Sequence, residues 1–527
     1  MKSLSRSMGL VIWLASVAYG ATGGMIAGTV KDPSGAPLKG AFVRARNPQS
    51  KITASVLSDK QGRYQIRDLA PGDYDVQATA IGYKSDPPKG VKVDAQPVAM
   101  DLALQKGMVR WTDLSNHQTR ELLPAGKAKP LLVGRCFACH GIQTRMAARR
   151  QDEASWRRDV DYMRDSFRYF LRDQINDEAA AELASYLTTT FGVDSELPRS
   201  PAELPGYEKV KRGEFSDEAM KIVYVDYELP GPNRMPWSAA PDKDGNLWIP
   251  YYGRANQVGK LDPKTGAVQE FRAPYPDTAA IHSAVAAPDG TVWFTEQGSN
   301  RLGHLDPRTR EVVEYQAPLK AGMGTERGSK HTLRVDPSGN VWATGSPLSR
   351  FDPKTEKFTE FPEVPSPYGL VLDKEGNLWF AEFTEDGKIG KVDAKTGKVT
   401  KWAPPTPKAR PRRIQLDSDG TLVFAEFAAG KIGRFDPKTE TFQEFSLPGA
   451  APTPYALGID RNRFIWYSSE AMDIVGRLDP KTGEVVEYPF PYSENSMREF
   501  FLDAEGRMWF ASPPNNKVGY FILTPGS

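Results

Sequence analysis

The sequence predicts a mainly β protein built from several domains, and three observations lead to that prediction. A unit of strands and turns recurs seven times in the C-terminal part of the chain. Residues 25–104 alternate apolar and polar side chains between Pro- and Gly-containing turns, whereas residues 105–195 carry apolar side chains at helical spacing. A chain of 527 residues is also too long for one ordinary core. We therefore expect a β-sandwich, a small α-helical domain and a seven-bladed β-propeller, in that order.

The propeller prediction, for residues 220–527, comes from the repeat. Six copies centre on a tryptophan and the fifth on a valine, and these positions lie 37 to 49 residues apart, a period typical of propeller blades. The last copy lacks a fourth strand, whereas residues 221–232 read as a strand with no blade of its own. We expect that strand to complete the last blade and close the ring. The seven copies are "DKDGNLWIP", "APDGTVWFTE", "DPSGNVWATG", "DKEGNLWFAE", "DSDGTLVFAE", "DRNRFIWYSS" and "DAEGRMWFAS".

The first 21 residues read as a secretory signal peptide. Lys2 and Arg6 form a basic head, an apolar stretch follows, and Ala18-Tyr19-Gly20-Ala21 supplies a small-residue cleavage region. The alternative is a buried N-terminal strand. No later segment approaches roughly 18 uninterrupted apolar residues, so we expect no transmembrane span in the mature protein. The predicted location is the periplasm.

Residues 25–104 predict a small β-sandwich of about seven short strands. The phrases Gly28-x-Val30, Gly35-Ala36-Pro37-Leu38-x-Gly40-Ala41 and Leu69-Ala70-Pro71-Gly72-x-Tyr74 carry a resemblance to another family. The segment resembles the carboxypeptidase regulatory-like domain, which has a transthyretin-like fold. This resemblance implies a structural or binding accessory.

Residues 105–195 predict helices, with Asn176 or Asp177 as a helix N-cap and Gly192 as a helix end. Residues 196–219 follow as a proline-rich linker. The whole chain has 68 basic and 66 acidic side chains, a net charge of +2. So small an excess gives no electrostatic case for nucleic acid as a partner.

The only two cysteines of the chain stand in "RCFACHG", at residues 135–141. In an exported protein these thiols are expected to be oxidised, bound to metal or covalently capped. Cys136, Cys139 and His140 have the spacing of haem c attachment, in which two thiols bind the vinyl groups and the next residue presents its imidazole to the iron. A disulfide and a zinc site are the alternatives.

The same segment resembles a monohaem cytochrome c, through "RCFACHG", the helix with Trp156 and Met163, and "LASYLTTTFG". The resemblance implies a small helical haem domain. Met163 follows His140 by 23 residues, enough chain to reach the opposite haem face, and is our candidate for the sixth iron ligand. Its rivals are His117 and an open or water-bound iron. We expect Met146, six residues after His140, to stay on the proximal side.

A polar ring is predicted at one mouth of the propeller. In each blade, the residue five positions before the D-x-x-G turn and the residue three positions after the tryptophan should reach the same rim. The candidate catalytic residues there are His282, His331, Glu296, Glu382 and Arg412, with Mg²⁺ or Ca²⁺ as candidate ions. The alternative is a hydrated channel. The full first set is Trp237, His282, His331, Tyr368, Arg412, Tyr455 and Arg498, and the acidic second set is Glu296, Glu382 and Glu426.

Residues 220–520 resemble the virginiamycin B lyase family, through the wording "LWFAE", "KIGK" and "YPFP". The resemblance implies a seven-bladed propeller that opens a lactone by elimination, using Mg²⁺ and histidines in P-H-[GA]-I phrases of the last two blades. Here those phrases read "TPYALGI" and "SMREFFL", with Tyr455 and Arg498 at the histidine positions. Pro513 stands where the family has an acidic residue. His282 and His331 hold the equivalent rim position in blades two and three.

The leading functional hypothesis is an exported, haem-c-bearing protein that transfers electrons, with a propeller that binds a substrate or partner. The partner classes are a redox protein and a small-molecule or glycan substrate. A second hypothesis is a Mg²⁺-dependent C–O lyase with its active site displaced to His282, His331 and Glu296. A third is a non-catalytic scaffold that binds carbohydrate or protein.

Overall fold

A computed structural model describes residues 23–138, 140–166, 171, 174–276, 279–319 and 330–524. The predicted signal peptide and Cys139 lie outside the described residues. The prediction of a mainly β protein with a propeller is confirmed: a run of four-stranded sheets occupies the C-terminal part of the chain. None of the described helices has the length and apolar character that a bilayer crossing requires.

The N-terminal unit consists of two packed sheets. One sheet has the strand order β4-β1-β8, with β9 also paired to β1, and the other contains β3, β2, β5 and β7. Alternate residues of the facing strands, such as Ile26, Val43 and Val76, are fully buried between the sheets. The strands are β1 (Gly24–Lys31), β2 (Phe42–Arg46), β3 (Ile52–Leu57), β4 (Arg63–Leu69), β5 (Gly72–Thr79), β6 (Tyr83–Lys84), β7 (Lys89–Val93), β8 (Val98–Ala99), β9 (Leu102–Ala103) and β10 (Gln105–Lys106).

Five α-helices follow among the described residues, and side-chain caps explain where two of them begin. The Ser115 hydroxyl accepts a hydrogen bond from the amide of Gln118 at the start of α1, and the Asn176 side chain accepts one from Ala179 at the start of α4. Helix α4 ends at Gly192, whose backbone is extended, and a Cβ at that position would meet the carbonyl of Thr188. The helices are α1 (Asn116–Leu122), α2 (Lys129–Arg135), α3 (Glu153–Ser166), α4 (Asp177–Phe191) and α5 (Tyr207–Val210).

The predicted linker, residues 196–219, packs onto the helical core. Leu197, Leu204, Tyr207 and Val210 contact that core, and Tyr207 is buried. Regularly spaced apolar side chains, together with α5, hold the segment against the helices despite its prolines. We therefore treat residues 111–210 as one helical segment.

Six blades each consist of four strands that are consecutive in the chain. The outer strand of the seventh blade is β11, which precedes the first blade in the chain. Blade one is β12 (Ala240–Pro241), β13 (Leu247–Pro250), β14 (Gln257–Leu261) and β15 (Val268–Arg272); blade two is β16 (Ile281–Ala286), β17 (Val292–Glu296), β18 (Arg301–Asp306) and β19 (Glu311–Gln316); blade three is β20 (Leu333–Val335), β21 (Val341–Ala343), β22 (Leu348–Asp352) and β23 (Lys357–Phe361). Blade four is β24 (Pro367–Leu372), β25 (Leu378–Glu382), β26 (Ile389–Val392) and β27 (Val399–Trp402); blade five is β28 (Pro411–Leu416), β29 (Leu422–Glu426), β30 (Lys431–Asp436) and β31 (Thr441–Ser446). Blade six is β32 (Pro454–Ile459), β33 (Ile465–Ser469), β34 (Ile474–Leu478) and β35 (Val485–Pro489); blade seven is β36 (Phe501–Leu502), β37 (Met508–Ser512), β38 (Lys517–Leu523) and β11 (Ile222–Glu228).

The repeated turn explains why each blade carries its tryptophan. In five blades, the first Asp of the turn accepts a hydrogen bond from the indole of the tryptophan six residues later, as between Asp460 and Trp466 at 2.8 Å. The turn glycines need a left-handed backbone, with φ of 83° at Gly245 and 88° at Gly339. The indoles of Trp248, Trp342 and Trp509 are buried in the cores of the propeller. The tryptophans therefore fix the blades rather than contact a ligand.

Strand β11 joins the ring to the sandwich as well as closing the ring. It pairs antiparallel with β38 from Ile222↔Leu523 to Glu228↔Lys517, as the sequence predicts for the last blade. Its other edge pairs antiparallel with β3, from Tyr224↔Ser55 to Tyr227↔Ile52. Sandwich and blade seven thus share one eight-stranded sheet, in the order β36-β37-β38-β11-β3-β2-β5-β7.

Candidate functional site

The helical segment packs on one face of the propeller. Its contacts include the loop that follows strand β33 in blade six. The side-chain amide of Asn116 donates to the carbonyl of Glu470 at 3.1 Å, and the backbone amide of His117 donates to that of Ala471 at 2.7 Å. The amide of Thr144 donates to the Glu494 carboxylate at 2.7 Å. This face of the propeller is therefore capped by the segment that contains the cysteines.

The Cys136 motif lies at this boundary. Cys136 begins a 3-10 turn (Cys136–Ala138) directly after α2, and its half-buried side chain packs against the helical core. His140 is buried, with 4% of its surface exposed, and its Nδ1 atom bonds to the carbonyl oxygen of Gly141. Gly141 is required there, because a Cβ would meet the side chains of Asn116 and Glu494. The interface thus fixes both the position and the ring orientation of His140.

His140 and Met163 line the same cavity of about 300 Å³, between the helical segment and blade one. That volume is at the lower end of the roughly 300–1,000 Å³ typical of ligand and cofactor pockets. Met146 and His117, the other residues considered as iron ligands or neighbours, are absent from its described lining. The other lining residues are Arg145, Tyr162, Ser166, Pro232, Asn233, Arg234, Met235, Gly253, Arg254 and Ala255.

Burial keeps the His140 imidazole neutral. Desolvation lowers the pKa of His140 below its ordinary value, and the positive charges of Arg145 and Arg498 lower it further, against an opposing effect of Glu494. A neutral imidazole whose Nδ1 is engaged by a carbonyl presents Nε2 as its free lone pair. This is the protonation state and orientation that a metal-binding histidine needs.

Seven side chains form a closed ring around the propeller axis, and they are the seven that strand offsets predict. Trp237 Nε1 donates to His282 Nε2 at 2.7 Å, and the rings of His282 and His331 lie 3.4 Å apart between centroids. The rings of His331 and Tyr368 lie 4.5 Å apart, and Arg412 Nη2 donates to the Tyr368 hydroxyl at 3.2 Å. The circuit closes through guanidinium–ring distances of 3.4 Å for Arg412–Tyr455, 4.7 Å for Arg498–Tyr455 and 4.9 Å for Arg498–Trp237.

Irregularities in the first strands of four blades direct these side chains to the axis. The pairing register shifts at His282 in β16, at Tyr368 in β24, at Arg412 in β28 and at Tyr455 in β32. A β-bulge bends the strand and redirects the side chain at that point. The ring is therefore built by the same local device in blades two, four, five and six.

The predicted carboxylates point elsewhere. Glu296, Glu382 and Glu426 pair in register with Ile281, Pro367 and Pro411, which directly precede the ring residues. Directly opposed residues share a face of the sheet, so these carboxylates lie on the face away from the ring side chains. Glu296 accepts a hydrogen bond from Ser299 at 2.6 Å, and Glu382 pairs with Lys401 at 2.7 Å. The structure thus brings His282, His331 and Arg412 together but not Glu296 and Glu382.

The buried carboxyls of Glu296 and Glu426 are protonated at neutral pH. Burial, together with the nearby carboxylates Glu314 and Glu444, raises the pKa of Glu296 and of Glu426 to about 8. Glu444 itself stays ionised because Lys431 lies 2.8 Å away. Among the described residues, no three His, Cys, Asp or Glu side chains are grouped as metal ligands. Mg²⁺ and Ca²⁺ prefer oxygen ligands, whereas the described ring side chains are imidazoles, guanidiniums and aromatic rings, so a divalent ion at this rim stays a prediction without a matching set of donors among them.

We expect Glu426→Gln to stabilise the protein at alkaline pH. A carboxyl whose folded pKa lies above its unfolded value contributes stability at low pH that is lost as pH rises through the folded value, here about 8. The neutral amide removes that loss, so the variant should have a higher denaturation midpoint than the wild type at pH 9 and a smaller or no advantage at pH 5. Thermal denaturation at both pH values measures this. The exposed Glu375→Gln is the control, and equal pH dependence in all three proteins would contradict the assignment.

Acidic partners that the sequence did not reveal bind the ring's arginines. Glu470 lies 3.8 Å from Arg412 and 3.3 Å from Arg498, and it follows the tryptophan of blade six by four residues instead of three. Glu499, next to Arg498, pairs with Arg413 at 3.2 Å and Arg334 at 3.0 Å. Two short motifs in the sequence could have indicated these ion pairs, namely Ser468-Ser469-Glu470 and Arg412-Arg413.

The ring's titratable groups have shifted pKa values. Burial and the neighbouring arginines hold the pKa values of His282 and His331 well below the ordinary value, so both imidazoles are neutral. Burial raises the pKa of Tyr368 to about 12. For Tyr455, burial raises the pKa, but Arg412, Arg498 and Arg413 outweigh it and the net pKa is lowered. The positive charge of the ring thus resides on its arginines.

Comparisons with known proteins agree with the two β units. A family model described as the virginiamycin B lyase family matches residues 219–348 and 354–525, more than half of the chain, and one described as the carboxypeptidase regulatory-like domain matches residues 25–105. A solved virginiamycin B lyase from Staphylococcus aureus is 23% identical with a TM-score of 0.52, over 57% of this chain and 100% of that one. A solved streptogramin B lyase is 26% identical with a TM-score of 0.52, over 59% and 100%. A search of the curated proteins found no match.

Proposed function

This chain belongs to the virginiamycin B lyase family, and because a helical segment with the Cys136–His140 motif caps its propeller, we propose that it is an exported c-type haem protein that transfers electrons, with its haem between the helical segment and the propeller. The observation that carries the proposal is the shared cavity of His140 and Met163. An imidazole and a thioether facing one cavity are the two axial ligands of cytochrome-c-type haems.

The described lining of the cavity contains an imidazole, a thioether and arginines that suit a haem, and Cys136 lies on the neighbouring helical core rather than in that lining. Cys136 precedes His140 by one helical turn, and its side chain packs beside the same helical core as Met163. Cys136 and Cys139 would form the two thioether links, and His140 would use the Nε2 that its bond to Gly141 leaves available. Arg145 and Arg254 line the cavity and would pair with propionates. A bound haem c supplies one-electron chemistry.

The chain's own residues would tune that chemistry by excluding water. His140 is 4% exposed, and the helical segment is sealed onto the propeller through Asn116, His117 and Thr144. A Met ligand and a buried site both favour the reduced form and raise the potential. The exposed outer surface of the helical segment would then accept or deliver electrons through a redox partner protein.

The displaced-lyase hypothesis is partly consistent with the family but is not better supported than electron transfer. It requires His282, His331 and Glu296 to act on one substrate, but Glu296 bonds to Ser299 on the other face of the sheet from His282. The face that holds the two histidines is also covered by the helical segment. Because the ring remains a credible binding site under the cap, we propose that the propeller binds a ligand rather than cleaves one.

The test is a pyridine haemochrome spectrum of the full chain, produced with the cytochrome c maturation machinery. We expect the spectrum of a haem with both vinyl groups saturated, and its loss in the double variant Cys136→Ala, Cys139→Ala. The solubility and thermal denaturation of the double variant control for folding. A spectrum of free haem b, or none, in a correctly folded wild-type protein would refute the proposal.

Met163→Ala should retain the haem but lower its reduction potential. The thioether favours the ferrous state, and axial ligation controls a range of roughly 0.8 V, so we expect a decrease that is a clear fraction of that range. Spectroelectrochemical titration measures it. Met146→Ala, which removes a thioether packed on the helical core outside the cavity lining, is the matched control. An unchanged potential in Met163→Ala would exclude Met163 as a ligand.

A further inference from the structure

We propose that the propeller axis contains a site for the carboxylate group of a small-molecule ligand, bound by the guanidiniums of Arg412, Arg413 and Arg498. The inference goes beyond electron transfer, because it concerns the ring rather than the haem cavity. It also replaces the cation expected at this rim with an anion.

The three guanidiniums converge on one buried phenol. The carbon atoms at their centres lie 3.4, 5.8 and 4.7 Å from the centroid of the Tyr455 ring, for Arg412, Arg413 and Arg498 respectively. These arginines are only 9%, 4% and 1% exposed, and Tyr455 is 1% exposed. Arginine is almost never buried without a compensating negative charge. A cluster of three buried arginines therefore requires anionic partners.

The described carboxylates compensate the cluster only in part. Glu470 is shared by Arg412 and Arg498, and Glu499 is shared by Arg413 and Arg334. Among the described ion pairs, Arg334, Arg412 and Arg413 share two carboxylates, one of which also pairs with Arg498, so these three guanidiniums have at least 3 − 2 = 1 positive charge in excess. Surplus charge in a water-poor interior is costly, so an anion that binds there gains a strong electrostatic attraction.

The hydrogen-bond inventory points to the same missing partner. Arg412 Nε and Arg413 Nη2 are fully buried and have no acceptor among the described residues. A guanidinium can only donate, so the absent group must be an acceptor. Water could accept these bonds but would leave the positive charge uncompensated. An anion satisfies both requirements.

The dimensions and shape of the ring favour a carboxylate. Neighbouring ring members lie close together. The ring centroids of His282 and His331 are 3.4 Å apart, and the guanidinium carbon of Arg412 is 3.4 Å from the centroid of the Tyr455 ring. A bound group therefore has to be small or flat. A planar carboxylate matches the fork of a guanidinium, and the aromatic faces of Trp237, Tyr368 and Tyr455 suit a flat substituent behind it. We therefore infer a planar, preferably aromatic, carboxylate.

The carboxylate could come from a free molecule or from a haem propionate, since Arg498 and His140 interact electrostatically. The matured protein and the haem-free Cys136→Ala, Cys139→Ala variant distinguish these sources. Binding of added carboxylate to both forms identifies a free ligand. Binding to the haem-free form alone identifies a propionate as the occupant. If haem attachment itself fails, the titration of the haem-free protein still tests the carboxylate site.

The experiment is a titration of both forms with sodium benzoate and with sodium acetate, at an ionic strength held constant with chloride. Calorimetry and tryptophan fluorescence measure the binding. We expect saturable binding of benzoate, weaker binding of acetate, and affinity at least roughly tenfold lower in Arg412→Lys, which keeps the charge but loses the fork. Arg350→Lys, whose guanidinium lies over Trp342 away from the ring, is the control and should bind normally. If neither form binds carboxylate saturably, or if Arg412→Lys binds as tightly as the wild type, the proposal is overturned.

Discussion

Glu499→Gln is expected to lower the free energy of unfolding by about 3–5 kcal/mol, the cost typical of breaking a buried ion pair from one side. Glu499 is 4% exposed, and its carboxylate lies 3.2 Å from Arg413 and 3.0 Å from Arg334. Burial raises its pKa, but Arg413 and Arg334 outweigh burial and the net pKa is lowered, so the group is ionised at neutral pH. The amide keeps the shape and removes the charge, and two buried guanidiniums lose their counter-ion.

Chemical and thermal denaturation measure this effect, with the exposed Glu484→Gln as the control, for which we expect a change below about 0.5 kcal/mol. The carboxylate proposal adds a second expectation. Since Glu499→Gln increases the surplus positive charge beside Arg413, benzoate should bind this variant more tightly and recover part of the lost stability. Equal stability of Glu499→Gln and Glu484→Gln would contradict the buried pairing.

Tyr224→Ala is expected to cost about 3–5 kcal/mol as well, because it removes a large buried side chain from the strand that closes the ring. Tyr224 is fully buried, its ring packs edge-on against Phe490 at 5.3 Å, and its hydroxyl donates to the carbonyl of Pro489 at 2.9 Å. The residue also lies where β11 pairs with both β38 and β3. The loss should therefore affect the propeller and its junction with the sandwich together.

The matched control is Ile522→Ala on the neighbouring strand β38, where the residue is 37% exposed and less apolar surface is buried than at Tyr224. We expect a change of less than about 1 kcal/mol there. Limited proteolysis gives an independent measurement, since Tyr224→Ala should release the sandwich from the propeller faster than either the wild type or the control. Equal effects of the two substitutions would show that β11 does not hold the ring.

The sequence predicts the propeller well because its signals are local and repeated. The Asp–Trp pairs and the D-x-x-G turns each recur in five blades, and the unmatched strand at residues 221–232 reveals how the ring closes. Counting from the turn also identifies all seven residues of the axial ring. These features depend on strand order and spacing, which one blade after another specifies in the same way.

The directions of the side chains and the contacts between domains could not be predicted by counting positions from the turns. Glu296 and Glu426 reach the expected rim, but they lie opposite the residue before the bulge, so the pleat turns them away from the axis. Glu470 stands one position outside the counted offset. The pairing of β11 with β3 and the capping of the propeller by Asn116 and Thr144 join segments far apart in the chain. No periodic pattern within either segment encodes those contacts.

The capped arrangement brings the cavity of His140 and Met163 close to the axial ring. Trp237 stacks on Tyr252 at 4.0 Å, bonds to His282, and packs with Tyr252 into the core of the helical segment. Met235, next to this pair along the chain, lines the cavity of His140 and Met163. The amide of Tyr252 donates to the carbonyl of Met235, so Met235 and the stacked pair Trp237–Tyr252 lie between the cavity and the ring. We therefore expect a ligand at the ring to alter the electrostatic environment of a haem bound in the cavity.

The intact mass of the mature chain, produced with the cytochrome c maturation machinery, tests the central claim most directly. We expect the mass of the polypeptide without its leader plus one haem, retained under denaturing conditions and lost in Cys136→Ala, Cys139→Ala. A mass equal to the bare polypeptide, less the hydrogens removed on forming a disulfide between the two cysteines, would contradict the account.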